Sequence, residues 1–305
     1  MTQQDTELSL QARFAPVLTE LETQRKKIVD RNYTILSISA GILFAGLLFG
    51  YDFQSVPVAV GGFVLALLNF VIFGDKGAVE WRLKYKQEVI RTIVESFFGA
   101  GGAYRPAEGH AERDFINTQL FDRSPDRYSA EDLITGYVDK TMIGFSEVHA
   151  EYKTTDSKGK TSWHTIFNGM LFSADFNKHF NGRTIVKQGG FWGFVQYGNT
   201  EMENPEFNKE FSVFADDPIE ARYILTPALM EKILQVNRNW GGSLGLSFIN
   251  SQLYIAIPLS KNFFEASVWS KIDGTSQWQR DWQIIADMVS LVDDLDLNTR
   301  IWTKT

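Results

Sequence analysis

The chain has 305 residues, 44% hydrophobic and 22% charged, which is too apolar for a disordered protein and leaves room for one large domain or two ordinary ones. A net charge of -7 and a pI near 5.2 argue against a nucleic-acid partner. Zero cysteines exclude disulfides, thiol nucleophiles, Cys-ligated zinc and iron–sulfur clusters.

The whole-chain mean hydropathy of -0.16 conceals two apolar runs, 33–50 and 56–74, each without a charged residue. Their lengths reach the lower end of what spans a hydrocarbon core of about 30 Å. Only residues 51–55 separate them, so the sequence predicts a two-helix transmembrane hairpin over 33–74. Arg25, Lys26, Lys27 and Arg31 flank it on one side and Lys76, Arg82, Lys84 and Lys86 on the other, which places both termini in the cytoplasm and the protein in the inner membrane. An uncleaved anchor fits better than a signal peptide, because 32 residues with acidic members precede the first run and no A-x-A site follows it. Small residues recur at four-residue spacing, as Ser37, Gly41 and Ala45, as Gly46 and Gly50, and as Gly62 and Ala66, and permit close helix approach.

Helical extensions are expected on both sides, an N-terminal cytoplasmic helix over 1–32 and a helix over 75–98. Leu10, Phe14, Val17, Leu21 and Ile28 form a heptad-like seam before the hairpin; Val79, Leu83, Ile90, Ile93 and Phe97 form another after it. The two seams are read as a stalk, against the plainer alternative of amphipathic helices packed on a soluble domain or lying on the membrane. GAGGAYRPAEG, 99–109, with four glycines and a proline, reads as a linker or ordered loop opening a cytoplasmic α+β domain over 99–305.

In that domain the pattern turns to strands near Thr135. Residues 144–153 alternate, with Val148, Ala150 and Tyr152 facing one way and Glu147, His149 and Glu151 the other. DSKGK, 156–160, predicts a hairpin into an aromatic-rich strand over 163–175, and further turns stand at Asn181-Gly182 and Gly189-Gly190, with a strand at 191–197. Asp217-Pro218 and Thr226-Pro227 are cap-plus-proline starts for two helices, the second ending at Gly241-Gly242. A second hairpin joins 244–249 to 253–257, and Trp278, Trp282, Ile285, Val289 and Val292 have helical spacing. Without regular βαβ alternation, the fold class is α+β with a largely antiparallel sheet and several helices.

FSEVHAEYK (145–153), WHTIFNGMLFSADFNKHFNGRT (163–184), DPIEARYILTPALMEKIL (217–234), LYIAIP (253–258) and LDLNTRIWTK (295–304) together resemble the bacterial membrane-protein family catalogued as domain of unknown function 3137. The resemblance implies two N-terminal spans followed by a soluble domain, and a LemA-like membrane protein as a partner. It carries over no catalytic residues.

The best polar constellation is Glu147, His149 and Glu151 on one strand face, joined across the hairpin by His164, a donor set suited to zinc or manganese. The same pattern describes any solvated strand face, so no cofactor and no metal is assigned. His179 with Lys178 and Arg183 suggests a small anion site, and Glu220 with Arg222 a structural ion pair. Trp269, Trp278 and Trp282 are read either as core or as a partner or membrane-interface surface. No GxGxxG, Walker A or GxSxG motif occurs. The reading is therefore a non-enzymatic, membrane-anchored interaction or scaffold module; the alternatives are a metal- or ligand-binding enzyme or sensor using the histidine-bearing strands, and a lipid or bilayer sensor.

Overall fold

A computed structural model describes residues 3–52, 54–73, 77–176, 178, 180–188, 200–260, 263–272 and 277–298. The expected turn at Gly189-Gly190, the strand at 191–197, His179 and most of the closing LDLNTRIWTK lie outside the described residues. The chain divides into two units, one of residues 1–90 with 265–280 and one of residues 91–264 with 281–305.

The first unit is helical. Helix α1 (Gln3–Asp52) runs 50 residues, Ser55 opens the next turn by accepting from Val58 N, and α2 (Val56–Phe73) follows. An 18-residue window of α1 has mean hydropathy 1.8, so this helix is long and apolar enough to cross a membrane by length and composition; Val56–Val71 is a shorter apolar helix. α1 and α2 pack on each other at Gly46 and Gly62, where a Cβ on Gly62 would lie 2.6 Å from the Gly46 Cα. Gly50 backs onto Ala59, and Ser39 Oγ donates to Asn69 Oδ1 at 3.1 Å. Of the small-residue stripes, Gly46–Gly50 on α1 and Gly62 on α2 make this contact, whereas a Cβ at Gly41 would meet nothing within 4 Å.

α3 (Ala78–Tyr85) leads into a π-helical turn (Lys86–Ile90). Phe14, Leu18 and Leu21 of α1 are buried, as the first seam expects for Phe14 and Leu21. The second seam is corrected in its first half: Ile90 and Ile93 are buried as expected, but Val79 and Leu83 are exposed, and Ala78, Trp81 and Tyr85 are buried in their place. Two features shift it. Trp81 takes the inner position because its indole Nε1 reaches the Leu21 carbonyl at 2.9 Å, and the π turn resets the helical phase.

Segment 265–280 completes this unit. Arg25, 7% exposed, binds Glu22 and donates to the Val268 carbonyl at 2.9 Å, while Glu22 accepts from the Ile272 N–H at 3.1 Å. Lys86 is buried against Glu265 at 2.7 Å, and the Phe14 and Trp278 rings meet edge-on at 5.3 Å.

The second unit opens with α4 (Arg91–Phe98) and is built on an eight-stranded sheet. Its strands are β1 (Ala103–Arg105), β2 (Arg127–Val138), β3 (Thr141–Thr155), β4 (Thr161–Asp175), β5 (Thr184–Gln188), β6 (Phe211–Ala215), β7 (Gly245–Ile249) and β8 (Gln252–Pro258). The order is β1-β2-β3-β4-β8-β7-β5-β6, and every pairing is antiparallel. The expected linker is thus partly strand: β1 joins β2, and the Tyr104 hydroxyl donates to buried Asp132 at 2.5 Å. The strands also begin at Arg127, ahead of Thr135.

After α4, the helices among the described residues of this unit are α5 (Glu112–Asn117), α6 (Pro205–Glu210), α7 (Pro218–Ile224), α8 (Pro227–Asn239) and α9 (Gln277–Asp294), whose first turn belongs to the other unit. Three begin as their sequences dictate. Asn204, Asp217 and Thr226 each accept main-chain N–H groups with a proline next in line. Hairpin β3–β4 turns through 156–160, where Asp156 Oδ1 accepts the N–H groups of Lys158 and Lys160. β7–β8 turns at Asn250 and Ser251, both with positive φ, as a two-residue hairpin requires.

Both faces of the sheet are covered. Val148, Ala150, Phe167, Leu171, Ile185 and Ala256 pack with Phe115 of α5 and Leu120 on one face. Ile143, Phe145, Met170 and Phe172, of opposite parity on β3 and β4, are buried on the other.

The absence of native cysteines permits a direct test of the helix packing. Ser39→Cys with Asn69→Cys is expected to cross-link under mild oxidant, read as a shift on a non-reducing gel. Adding Gly62→Leu, whose side chain has no room against Gly46, is expected to abolish the cross-link.

Candidate functional site

The polar residues singled out in the sequence sit on the β2–β3–β4 surface. Ser129, His149 and Asn168 form one row across the three strands, and Glu131 lies opposite Glu147 in the next. With Phe263 they line a cavity of about 540 Å³. Glu147, His149 and Glu151 share one face, as alternation predicts, but each side chain is turned to its own partner. Glu147 accepts the Phe263 N–H at 2.6 Å; His149 Nδ1 lies 3.1 Å from Asn168 Oδ1; Glu151 takes Arg127 at 3.1 Å and stands 3.4 Å from His149 Nε2.

His164 does not join them. It pairs in register with Tyr152, stacks on that ring at 5.0 Å, and bonds Thr154 at 2.8 Å. Tyr152 and Thr154 alternate with Glu151, so this histidine belongs to the opposite face of the hairpin. The strands therefore deliver one imidazole to the cavity, with Glu131 and Glu147 as its carboxylates.

Other expectations are redistributed. Glu220 and Arg222 do not pair with each other: Glu220 accepts the N–H groups of Asn181 and Gly182, both at 2.8 Å, and Arg222 binds Glu203 at 2.9 Å. Lys178 donates to the Tyr223 carbonyl at 2.6 Å and Arg183 binds Asp216 at 3.0 Å, so both cations of the expected anion site are engaged by the protein itself. Trp278 and Trp282 are buried, at 1% and 5% exposure, which removes them from any interface surface; Trp269 remains 62% exposed.

A further polar cluster was not visible in the sequence. His110 lies just after the expected linker, and its ring spans two serines: Nδ1 is 2.8 Å from Ser146 Oγ and Nε2 is 3.0 Å from Ser173 Oγ. The surrounding bonds assign the tautomer. The Ser146 hydroxyl accepts the His110 main-chain N–H at 3.0 Å, which leaves its proton for Nδ1; Nε2–H then donates to Ser173, whose hydroxyl donates to the Gly144 carbonyl at 3.2 Å. The imidazole thus accepts the Ser146 hydroxyl at Nδ1 and donates to Ser173 from Nε2, and the arrangement clasps the entering chain to β3 and β4. The Tyr128 hydroxyl completes the clasp by donating to the His110 carbonyl at 2.7 Å. The available signal was parity: Ser146 falls in step with Val148 and Ala150, and a core-facing serine needs a polar partner.

Burial drives the His110 pKa down to about 4 from the ordinary 6.5, against a smaller upward pull from Asp114. Folded protein then binds fewer protons than unfolded protein between those values. The stabilisation is complete above pH 6.5 and is lost as pH falls toward 4, by about 3 kcal/mol. His110→Gln is expected to flatten that part of the profile, which denaturant unfolding at pH 7 and pH 4.5 compares for the two proteins.

Residues 165–297 match a family model described as Protein of unknown function (DUF3137). No curated protein matches the chain. Among solved structures, the mycobacterial trehalose monomycolate transport factor A, TtfA, is a distant neighbour at 10% identity and a TM-score of 0.35, over 72% of this chain and 97% of its own.

Proposed function

We propose, from the match of residues 165–297 to the DUF3137 family model, that the chain is a membrane-anchored module presenting this domain to a protein partner in the cytoplasm. One observation carries the anchor. Large apolar side chains stand exposed in succession along α1 and α2, among them Leu36, Phe44, Leu47, Phe49, Val60, Phe63, Leu65 and Val71, while the polar pair Ser39–Asn69 and the glycine contact lie between the helices. Water tolerates no such band, and lipid requires one. The two helices then act as a hairpin of two spans. The basic residues at its open end favour cytoplasmic termini; Lys26, Lys27 and Arg31 are exposed there, while Arg25, Lys84 and Lys86 also bind Glu22, Glu20 and Glu265.

The interaction role is supported by the polar chemistry of the domain, in which the candidate carboxylates and histidines are committed to main-chain and side-chain partners of the same chain. A LemA-like membrane protein is the partner that the family resemblance implies. Cross-linking the full-length chain in its native membrane is expected to capture a partner that is lost when residues 100–305 are removed, and co-purification with a LemA-like protein tests that identity. Capture of the same set by both chains contradicts the reading.

A second reading is ligand binding in the cavity of Glu131, Glu147 and His149, favoured by its volume of about 540 Å³. Its test is elemental analysis of protein from defined medium. Divalent metal at one equivalent, lost in His149→Ala, supports it; a melting temperature indifferent to added zinc and manganese removes the metal form of it.

A further inference from the structure

The two central strands outrun the sheet. β3 and β4 pair with each other out to Thr155 and Thr161, whereas β2 follows β3 only to Glu151 and β8 follows β4 only over Gly169–Asp175. Beyond those points the hairpin is a two-stranded arm, exposed from residue 153 to residue 165 and set off from the sheet by a bulge between the Ala150 and Glu151 rows. The arm is held in shape by the Tyr152–His164 stack, by Arg123 over the Tyr152 ring at 4.5 Å, and by Arg127 over the Trp163 ring at 4.0 Å.

Its two edges differ. On the β3 side Asp126 covers the ladder, accepting the Lys153 N–H at 2.8 Å and donating to the Glu151 carbonyl at 2.8 Å. On the β4 side the main chain of residues 161–166 has no second partner strand among the described residues. Edge strands are normally blunted by charge or proline. This one reads TSWHTI, with neither, and is composed largely of good strand formers.

The charge around it is specific. Lys153, Lys158 and Lys160 form no ion pair among the described residues, although the chain as a whole carries -7. The nearby acids are already engaged, Glu151 by Arg127 and Asp156 by the turn's own N–H groups. We propose that the 161–166 edge receives an extended acidic segment of a partner protein as an added β-strand, with Lys158 and Lys160 meeting its carboxylates. This rests on the interaction-module reading and gives it a surface. A second copy of the arm fits poorly, since pairing two edges brings two sets of lysines together.

The test uses the full-length chain in nanodiscs of neutral phosphatidylcholine. Its probes are three labelled peptides of about ten residues: alternating Val/Thr with Glu, the same with Lys for Glu, and the Glu peptide N-methylated at alternate backbone nitrogens. The unmodified Glu peptide is expected to bind, more weakly as salt rises, and about tenfold more weakly to the Lys158→Glu/Lys160→Glu variant at unchanged melting temperature. Equal binding of the Lys or N-methylated peptide, an unchanged Kd in the variant, self-association through the arm, or loss of peptide to anionic vesicles that bind the arm each overturns the proposal. A native partner that needs residues 100–305 but ignores the double substitution overturns this surface and leaves the module reading intact; absence of any such partner removes the module reading itself.

Discussion

The sheet depends on one close approach, that of Gly169 on β4 to the Ile257 carbonyl on β8. A Cβ at Gly169 would lie 2.1 Å from that oxygen and 2.8 Å from the Leu259 nitrogen, so no other residue lets the two strands meet in this register. Four strands lie on either side of this ladder, and β8, β7, β5 and β6 attach to the rest of the sheet through it alone among the described pairings. The ladder stops where it starts to need a donor: Gly169 faces Pro258, which has no N–H, and the chain then leaves at Leu259 with Asn168 bonding both its main-chain groups. β4 is thereby divided into an inner half with two neighbours and an outer half with one.

The inner half obliges both faces of the sheet to be covered, and the polar groups trapped there to be matched. On the face of Val148 and Leu171 the covering element is short, the α5 helix with Phe115 and Leu120, and it is held by the His110 clasp to the same two strands. A neutral imidazole suits that position because it offers one donor and one acceptor to two hydroxyls whose other bonds are already fixed. The cavity side is different in kind. There Glu131 and Glu147 stand opposite each other on neighbouring strands, an arrangement that like charges make unfavourable.

Much of this was legible locally. The DSKGK turn, the Asp217 and Thr226 caps with their prolines, and the parity of 147–151 against 148–152 are short-range chemistry, and each element formed where those residues place it. What escaped depends on residues far apart in the chain. β1 hides in a glycine-rich stretch because its pairing is fixed by Tyr104 finding Asp132. His110 is one polar residue in a loop until the sheet brings Ser146 and Ser173 together. His164 was assigned to the wrong side because face membership across a hairpin depends on register, which a bulge beside it alters. The second helical seam slipped because spacing alone does not show that Trp81 has a carbonyl waiting at Leu21.

The helical unit closes on itself across almost the whole sequence: Arg25 donates to the carbonyl of Val268, and Glu22 accepts from Ile272. During synthesis the first groups exist long before the second. At about 5–20 residues per second, roughly 12–50 s pass between translation of Arg25 and of its C-terminal partner. The α1 side chains that will meet Val268 and Ile272 are therefore made long before those residues exist, and the Arg25–Glu22 pair precedes both contacts. The unit closes late, and a segment made 243 residues after Arg25 acts as its fastener.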